Sequence, residues 1–229
     1  MKWRSLEESA SGIDTRSLRD ILAERKDKIA RYVPPEIQAV HAQVIDELNE
    51  RGMQNRTLSV GNKSPEFSLS NQNETVISSA TLLAKGRLVI CFYRGRWCPF
   101  CVGQLEAMNQ SLPQIERSGA SLIAISPQTV PQSFFMADQH RLRFSLLSDA
   151  GNHVAQQFGL NYRVPDYQQS VYRRAFINLP SVNGDESWEL PIPATYILGR
   201  DGIVLYASVN PDYTERPEPA EILERLATA

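Results

Sequence analysis

Residues 88–93 read Leu-Val-Ile-Cys-Phe-Tyr without a charged residue, the pattern of a strand covered on both faces of a sheet. Arg94-Gly95-Arg96 breaks the run. Beyond Pro99, the apolar residues Val102, Leu105, Met108 and Leu112 return at steps of three and four, which predicts an amphipathic helix starting at or near Cys98. Proline is tolerated in a first helical turn, where its missing N–H would have no partner, so Pro99 marks a start and not a break. Residues 120–126 form a second buried run. A helix over 131–140, an extended segment at 144–149 and a helix over 151–158, stopped by Gly159, follow it. Strand, helix, strand, helix implies parallel pairing with right-handed crossovers. Upstream, residues 61–69 alternate into a short strand, 75–77 are extended, and 79–84 make a turn of helix. Downstream, 193–207 read as two antiparallel strands about a tight turn at Asp201-Gly202, and 219–226 as a closing helix. Residues 163–184 are polar and irregular apart from a short helix around 168–176, and read as an insertion.

The first fifty residues have a different rhythm. Leu18, Ile21, Leu22, Ile29 and Val33 recur at helical spacing among many charges, with Asp14 or Thr15 as cap, until Pro34-Pro35 ends the helix. Ile37, Val40, Val44 and Leu48 line a second helix, closed by Gly52. Such a hairpin is too small and too charged to stand alone, so its apolar stripe must lie on the main domain or on a second subunit, which makes a homodimer possible. The expected organisation is a helical extension over 1–56 and an α/β domain over 57–229. His41, in the second helix, reads as a surface or packing histidine.

Composition narrows the setting. With 229 residues, 42% hydrophobic, 22% charged and a net charge of −2, the chain is expected to be an ordinary soluble protein with no electrostatic case for nucleic acid or an anionic membrane. No run approaches the roughly 18 apolar residues of a membrane span. The opening MKWRSLEESASGID has no apolar core and carries acids early, so a cytoplasmic location is expected.

The chemistry lies at Cys98 and Cys101, three apart where the buried strand gives way to the helix. The thiolate is the nucleophile, and a helix start favours negative charge. Arg94 and Arg96 add to the effect, and a second thiol one turn on closes a disulfide with the first. Zinc would need two more ligands, yet Cys91 sits inside the strand and His41, His140 and His153 are scattered singly. No metal, flavin or haem is required. Two inert buried cysteines remain the bland alternative.

Four segments in order, GNKSPEFSL (61–69), FYRGRWCPFC (92–101), Leu147-Ser148-Asp149 through Phe158-Gly159, and PATYILGRDG (193–202), resemble the thioredoxin-like superfamily. The closer likeness is to its peroxiredoxin-like branch, the alkyl hydroperoxide reductase/thiol-specific antioxidant family, over about 170 residues. The resemblance implies a thioredoxin-like fold: a central mixed sheet flanked by helices, here with an N-terminal helical hairpin. It also implies a peroxidase working through a Cys98–Cys101 dithiol/disulfide cycle, with thioredoxin or a low-molecular-weight thiol as reductant.

The chain departs from the family pattern in ways that matter. The family's proline, its threonine or serine, and its peroxidatic cysteine fall by count on Arg94, Cys98 and Cys101. Its later arginine falls near Pro193, where thioredoxins instead place a cis-proline, so a cis Ile192–Pro193 bond with a substrate-docking role is expected. Counting favours Cys101 as nucleophile; helix-terminus physics favours Cys98, expected to be the more exposed and more acidic. Cys98 is taken as attacking thiolate and Cys101 as resolving thiol, with Trp97 shielding one side. Cys91 is expected to be inert and Asp149 to be a turn or capping residue. A thiol–disulfide oxidoreductase acting on protein or small disulfides, and a non-enzymatic redox sensor, are the alternatives.

Overall fold

The computed structural model of the chain describes residues 16–228. Its centre is the strand β3 (Arg87–Phe92), buried along almost its whole length because it is hemmed in on both sides and both faces. Parallel β4 (Ala120–Ser126) and β5 (Ser145–Ser148) follow on one side, and antiparallel β8 (Ala194–Leu198) and β9 (Val204–Val209) on the other. With β1 (Ser68–Asn71) and β2 (Val76–Ser78) added antiparallel beyond β5, the seven-stranded order is β2-β1-β5-β4-β3-β8-β9. Residues β6 (Asn161–Arg163) and β7 (Glu189–Pro191) form a separate two-stranded ribbon. The chain thus has the α/β architecture expected of it: a mixed central sheet flanked by helices.

Period-two alternation divides β3 between two cores. Val89 and Cys91 face one layer with Leu105, Met108 and Ile115 of α4 (Pro99–Arg117) and Ile222 and Leu226 of α9 (Pro219–Thr228). Leu88, Ile90 and Phe92 face the other, with Leu83 of α3 (Ser79–Lys85), Val154 and Ala155 of α6 (His153–Gln157), and Phe158 just beyond it. The family of helices is completed by α5 (Val130–Gln139), which sends Met136 into the first layer. Pro113 inside α4 cannot donate to the carbonyl of Asn109, and Arg143 Nη2 satisfies that oxygen instead, at 3.0 Å.

The hairpin helices are α1 (Leu18–Tyr32) and α2 (Pro35–Glu50). Their stripe lies on the chain's own domain: Leu18 and Leu22 enter the first core, Val44 and Leu48 the second. Asp14 and Thr15, the expected caps, lie outside the described residues. Ser17 caps α1, its hydroxyl accepting from Asp20 N at 3.1 Å, and the Glu218 carboxylate accepts from Leu18 N and Arg19 N at 3.1 and 2.7 Å. Gly52 follows α2 with φ +60°, a conformation glycine adopts at little cost.

Residues 163–184 are more ordered than their polarity suggests. They hold α7 (Asp166–Arg174) and α8 (Leu179–Asn183). Val164, Tyr172 and Leu179 pack with Trp188 and Leu190 into a third, small core. Asp149 is a cap, as expected: its carboxylate accepts from Val154 N and Ala155 N at 3.0 and 2.9 Å. Among the described residues no peptide bond is cis. The expected cis Ile192–Pro193 bond is therefore corrected to trans, the lower-energy form of an X–Pro bond. The Ile192 N–H is engaged by Leu160 O at 2.8 Å, which carries the chain extended from β7 into β8.

Candidate active site

The site forms where β3 ends. Arg94 N–H donates to Cys101 Sγ at 3.5 Å as the chain leaves the strand. Gly95 has φ +144°, and a Cβ there would come within 2.6 Å of Trp97 Nε1, so the bend and the indole lying over it both require glycine. Cys98 is the N-cap of α4, Pro99 occupies the first turn, and Cys101 lies one turn along. The loop is pinned from α5's side: Arg96 N donates to Gln128 Oε1 at 3.0 Å, and Gln128 Nε2 donates to Tyr93 Oη at 2.8 Å.

Both sulfurs are buried, Cys98 being 1% and Cys101 0% exposed, so exposure does not distinguish them as expected. Their surroundings do, and they favour charge on Cys101 where the sequence expectation placed it on Cys98. Cys98 makes no side-chain cap hydrogen bond, and burial together with its bond to Cys101 pushes its thiol well above the ordinary range. Burial would push Cys101 up too, but it is outweighed by the hydrogen bond from Cys98, the Arg216 and Arg94 charges and the Arg94 N–H, which bring Cys101 down to about 5. Geometry agrees: Arg216 Nη2 donates to Cys101 Sγ at 3.6 Å. Both donors converge on Cys101, and they favour negative charge there.

Arg94 is 2% exposed, its guanidinium carbon 4.0 Å from the Tyr213 ring centroid and 4.8 Å from that of Trp97. Its Nη2 donates to the Tyr172 hydroxyl. Trp97 in turn packs on Tyr172, ring centroids 5.2 Å apart, and so walls one side of the site. Arg96 does not join them. Its side chain is exposed and donates from Nε to Gln132 of α5. Pro193 is buried one step beyond the Phe92–Ala194 pair, at the same end of the sheet. Cys91 is buried inside β3, and burial drives its thiol up to about 12, the state of an inert thiol.

Several participants escape sequence reasoning. Arg216 comes from the segment between β9 and α9, held by Gln104 Oε1, which accepts from its Nε at 2.8 Å. Gln104 Nε2 donates to Thr195 Oγ1 at 2.9 Å. Tyr172 comes from the insertion, and His41 of α2 lies against Tyr172 and Tyr213, centroids 5.8 and 6.1 Å away. Burial and the Arg94 charge push His41 down to about 4, so it is neutral at pH 7. Gln168 Nε2 lies 2.9 Å from its Nδ1.

A buried dithiol at a helix start, on a thioredoxin-like sheet and with one sulfur held as thiolate, defines a thiol-based oxidoreductase. The comparisons narrow the class. Residues 60–207 match the AhpC/TSA family, and the chain belongs to that family. A Haemophilus influenzae protein named for peroxiredoxin bcp is 34% identical over 103 residues, which cover 45% of this chain and 66% of that one. Peroxiredoxin Q of Oryza sativa subsp. japonica is 28% identical over 172 residues, 74% of this chain and 68% of that one. The chain therefore spans about two thirds of the length of both relatives. The crystal structure of peroxidoxin BcpB from Mycobacterium tuberculosis superposes with a TM-score of 0.59 at 22% identity, covering 75% of this chain and 97% of that one. That likeness carries the fold.

Proposed function

We propose that the chain is a thiol-dependent peroxidase in which Cys101 attacks and Cys98 resolves. The observation that carries this assignment is the convergence of two N–H donors, Arg94 N and Arg216 Nη2, on Cys101 Sγ. The Cys101 thiolate displaces on the terminal oxygen of a hydroperoxide: an S–O bond forms, the O–O bond breaks, and the alcohol leaves after taking up a proton. Sulfur is oxidised by two electrons and the peroxide reduced by two. The Arg94 and Arg216 charges favour the thiolate and the oxygen that leaves. The Cys98 thiol then condenses with the sulfenic acid, releasing water and closing a disulfide.

A thiol reductant, thioredoxin or a small dithiol, completes the cycle. Attack on Cys98 is the productive direction, because Cys101, the more acidic thiol, is the better leaving group. Burial of both sulfurs favours a small hydroperoxide over a folded disulfide partner as the oxidant. The test is rapid mixing of the fully reduced protein with hydrogen peroxide, followed by Trp97 fluorescence and by mass. Cys101→Ser should abolish fast oxidation, and Cys98→Ser should accumulate a sulfenic acid on Cys101. The reverse pattern would reassign the attack to Cys98. Oxidation no faster than that of a free thiol would remove the peroxidase reading.

A further inference from the structure

Arg94 is a buried cation without an anion of its own. Its faces are taken by Trp97 and Tyr213 and its Nη2 by the Tyr172 hydroxyl, but its Nε has no hydrogen-bond partner, and neither has the buried Nε1 of Trp97 beside it. No carboxylate among the described residues pairs with Arg94 or with Arg216. The groups that face the pair from the other elements do not supply the missing charge. Burial holds Tyr162, Tyr172 and Tyr213 as neutral phenols, burial and Arg94 hold His41 neutral, and Cys98 stays a thiol. Two guanidiniums therefore share one thiolate, and the site carries a surplus positive charge. A buried charge is retained at a cost unless something pairs with it, and an unpartnered donor in a buried site calls for an acceptor.

We propose that Arg94 recognises hydroperoxides that carry a carboxylate, binding the carboxylate while the peroxide oxygen meets Cys101. The inference rests on the peroxidase reading above and narrows its substrate class. A carboxylate suits this pair of unpartnered donors, because the Arg94 Nε–H lies in the plane of a guanidinium whose faces are stacked and the Trp97 Nε1–H beside it can meet the second oxygen. The aromatic walls of Trp97, Tyr172 and Tyr213 suit an apolar body between the two ends of the substrate and disfavour a small hydrated anion. In this proposal the carboxylate is on the oxidant, because the reduced state, which keeps a surplus positive charge even with its thiolate in place, is the state that meets the hydroperoxide.

The experiment compares oxidation of the reduced full-length protein by cumene hydroperoxide and by its para-carboxylate. Both meet the same thiolate, so the ratio of their rate constants cancels the effect of Arg94 on the sulfur. The wild type should react about tenfold faster or more with the acid. The ratio should fall to near one in Arg94→Gln and lie between in Arg94→Lys, which keeps the buried charge, and with it the fold, but loses the planar fork. Equal rates in the wild type, or a ratio unmoved in both variants, overturn the proposal and leave the peroxidase reading standing. If neither hydroperoxide outpaces a free thiol, the peroxidase reading is what fails. Protection of Cys101 from iodoacetamide by benzoate then tests the carboxylate site alone: protection in the wild type supports it and absence of protection overturns it.

Discussion

Gln104 grips Arg216 by Nε while its own amide is fixed on Thr195, so the guanidinium that meets Cys101 is positioned through α4 from β8. Arg216→Met should raise the Cys101 pKa from about 5 towards the ordinary thiol value. Gln104→Met, which leaves the charge but loosens its aim, should raise it less. Ultraviolet thiolate absorbance against pH measures both, and titrations that superpose on the wild type would refute the electrostatic account of Cys101. The same curve fixes the sign for the wild type: thiolate is present above about pH 5 and lost as the pH falls through that value. Cys98, Cys101, Arg94 and Trp97 were legible in the sequence because they are neighbours along it. Arg216 was not, being 115 positions from Cys101 in a Glu- and Pro-rich segment where nothing marks an arginine that folds inward. The preference for Cys98 as nucleophile came from its place at the helix start. A helix start favours an anion only through N–H groups that reach it, and at Cys98 none does.

Gly103 lets α1 lie close on α4. A Cβ there would sit 2.5 Å from Arg25 Nη1 and 3.1 Å from Leu22 Cδ2, and Arg25 donates to the Pro99 carbonyl in the same turn as the cysteines. Gly103→Val should overpack this seam and cost about 1–3 kcal/mol, read as a lower midpoint in denaturant, with unchanged stability counting against the seam. On α2, His41 has its pKa depressed to about 4 against 6.5 in the unfolded chain. The unfolded chain therefore takes up a proton first as the pH falls. Stability is fully present above pH 6.5 and declines towards pH 4, and His41→Gln should flatten that slope in denaturant titrations. The hairpin's existence followed from its apolar spacing, but its destination did not, since a stripe of leucines and valines does not name the surface it covers. Likewise α8 is too short for periodicity to show, while α7 was legible as a short helix, and the order of both comes from packing on Trp188 and Leu190.

At the level of the molecule, α1 feeds one core and α2 the other, and α2 brings His41 against the aromatic cage of the site. Removing residues 1–50 should therefore lower the melting temperature and expose dye-binding apolar surface. Unaltered melting would show that the hairpin's burial contributes nothing to the fold. The sheet order was readable in outline because β3, β4 and β5 announce themselves by apolar runs, and the parallel crossovers follow from chirality. Closure of the sheet's end by α2, α7 and the segment carrying Arg216 depends on contacts far apart in sequence and came only from the structure. The arginines at that closed end also determine how the protein sits among cellular redox couples. They stabilise the reduced, thiolate-bearing state and do nothing comparable for a disulfide, whose sulfurs are uncharged. Charges that favour a thiolate favour the dithiol over a Cys98–Cys101 disulfide and so raise the reduction potential of the pair. A raised potential favours reduction by a thiol, so the charges that ready the sulfur for peroxide also favour its recovery.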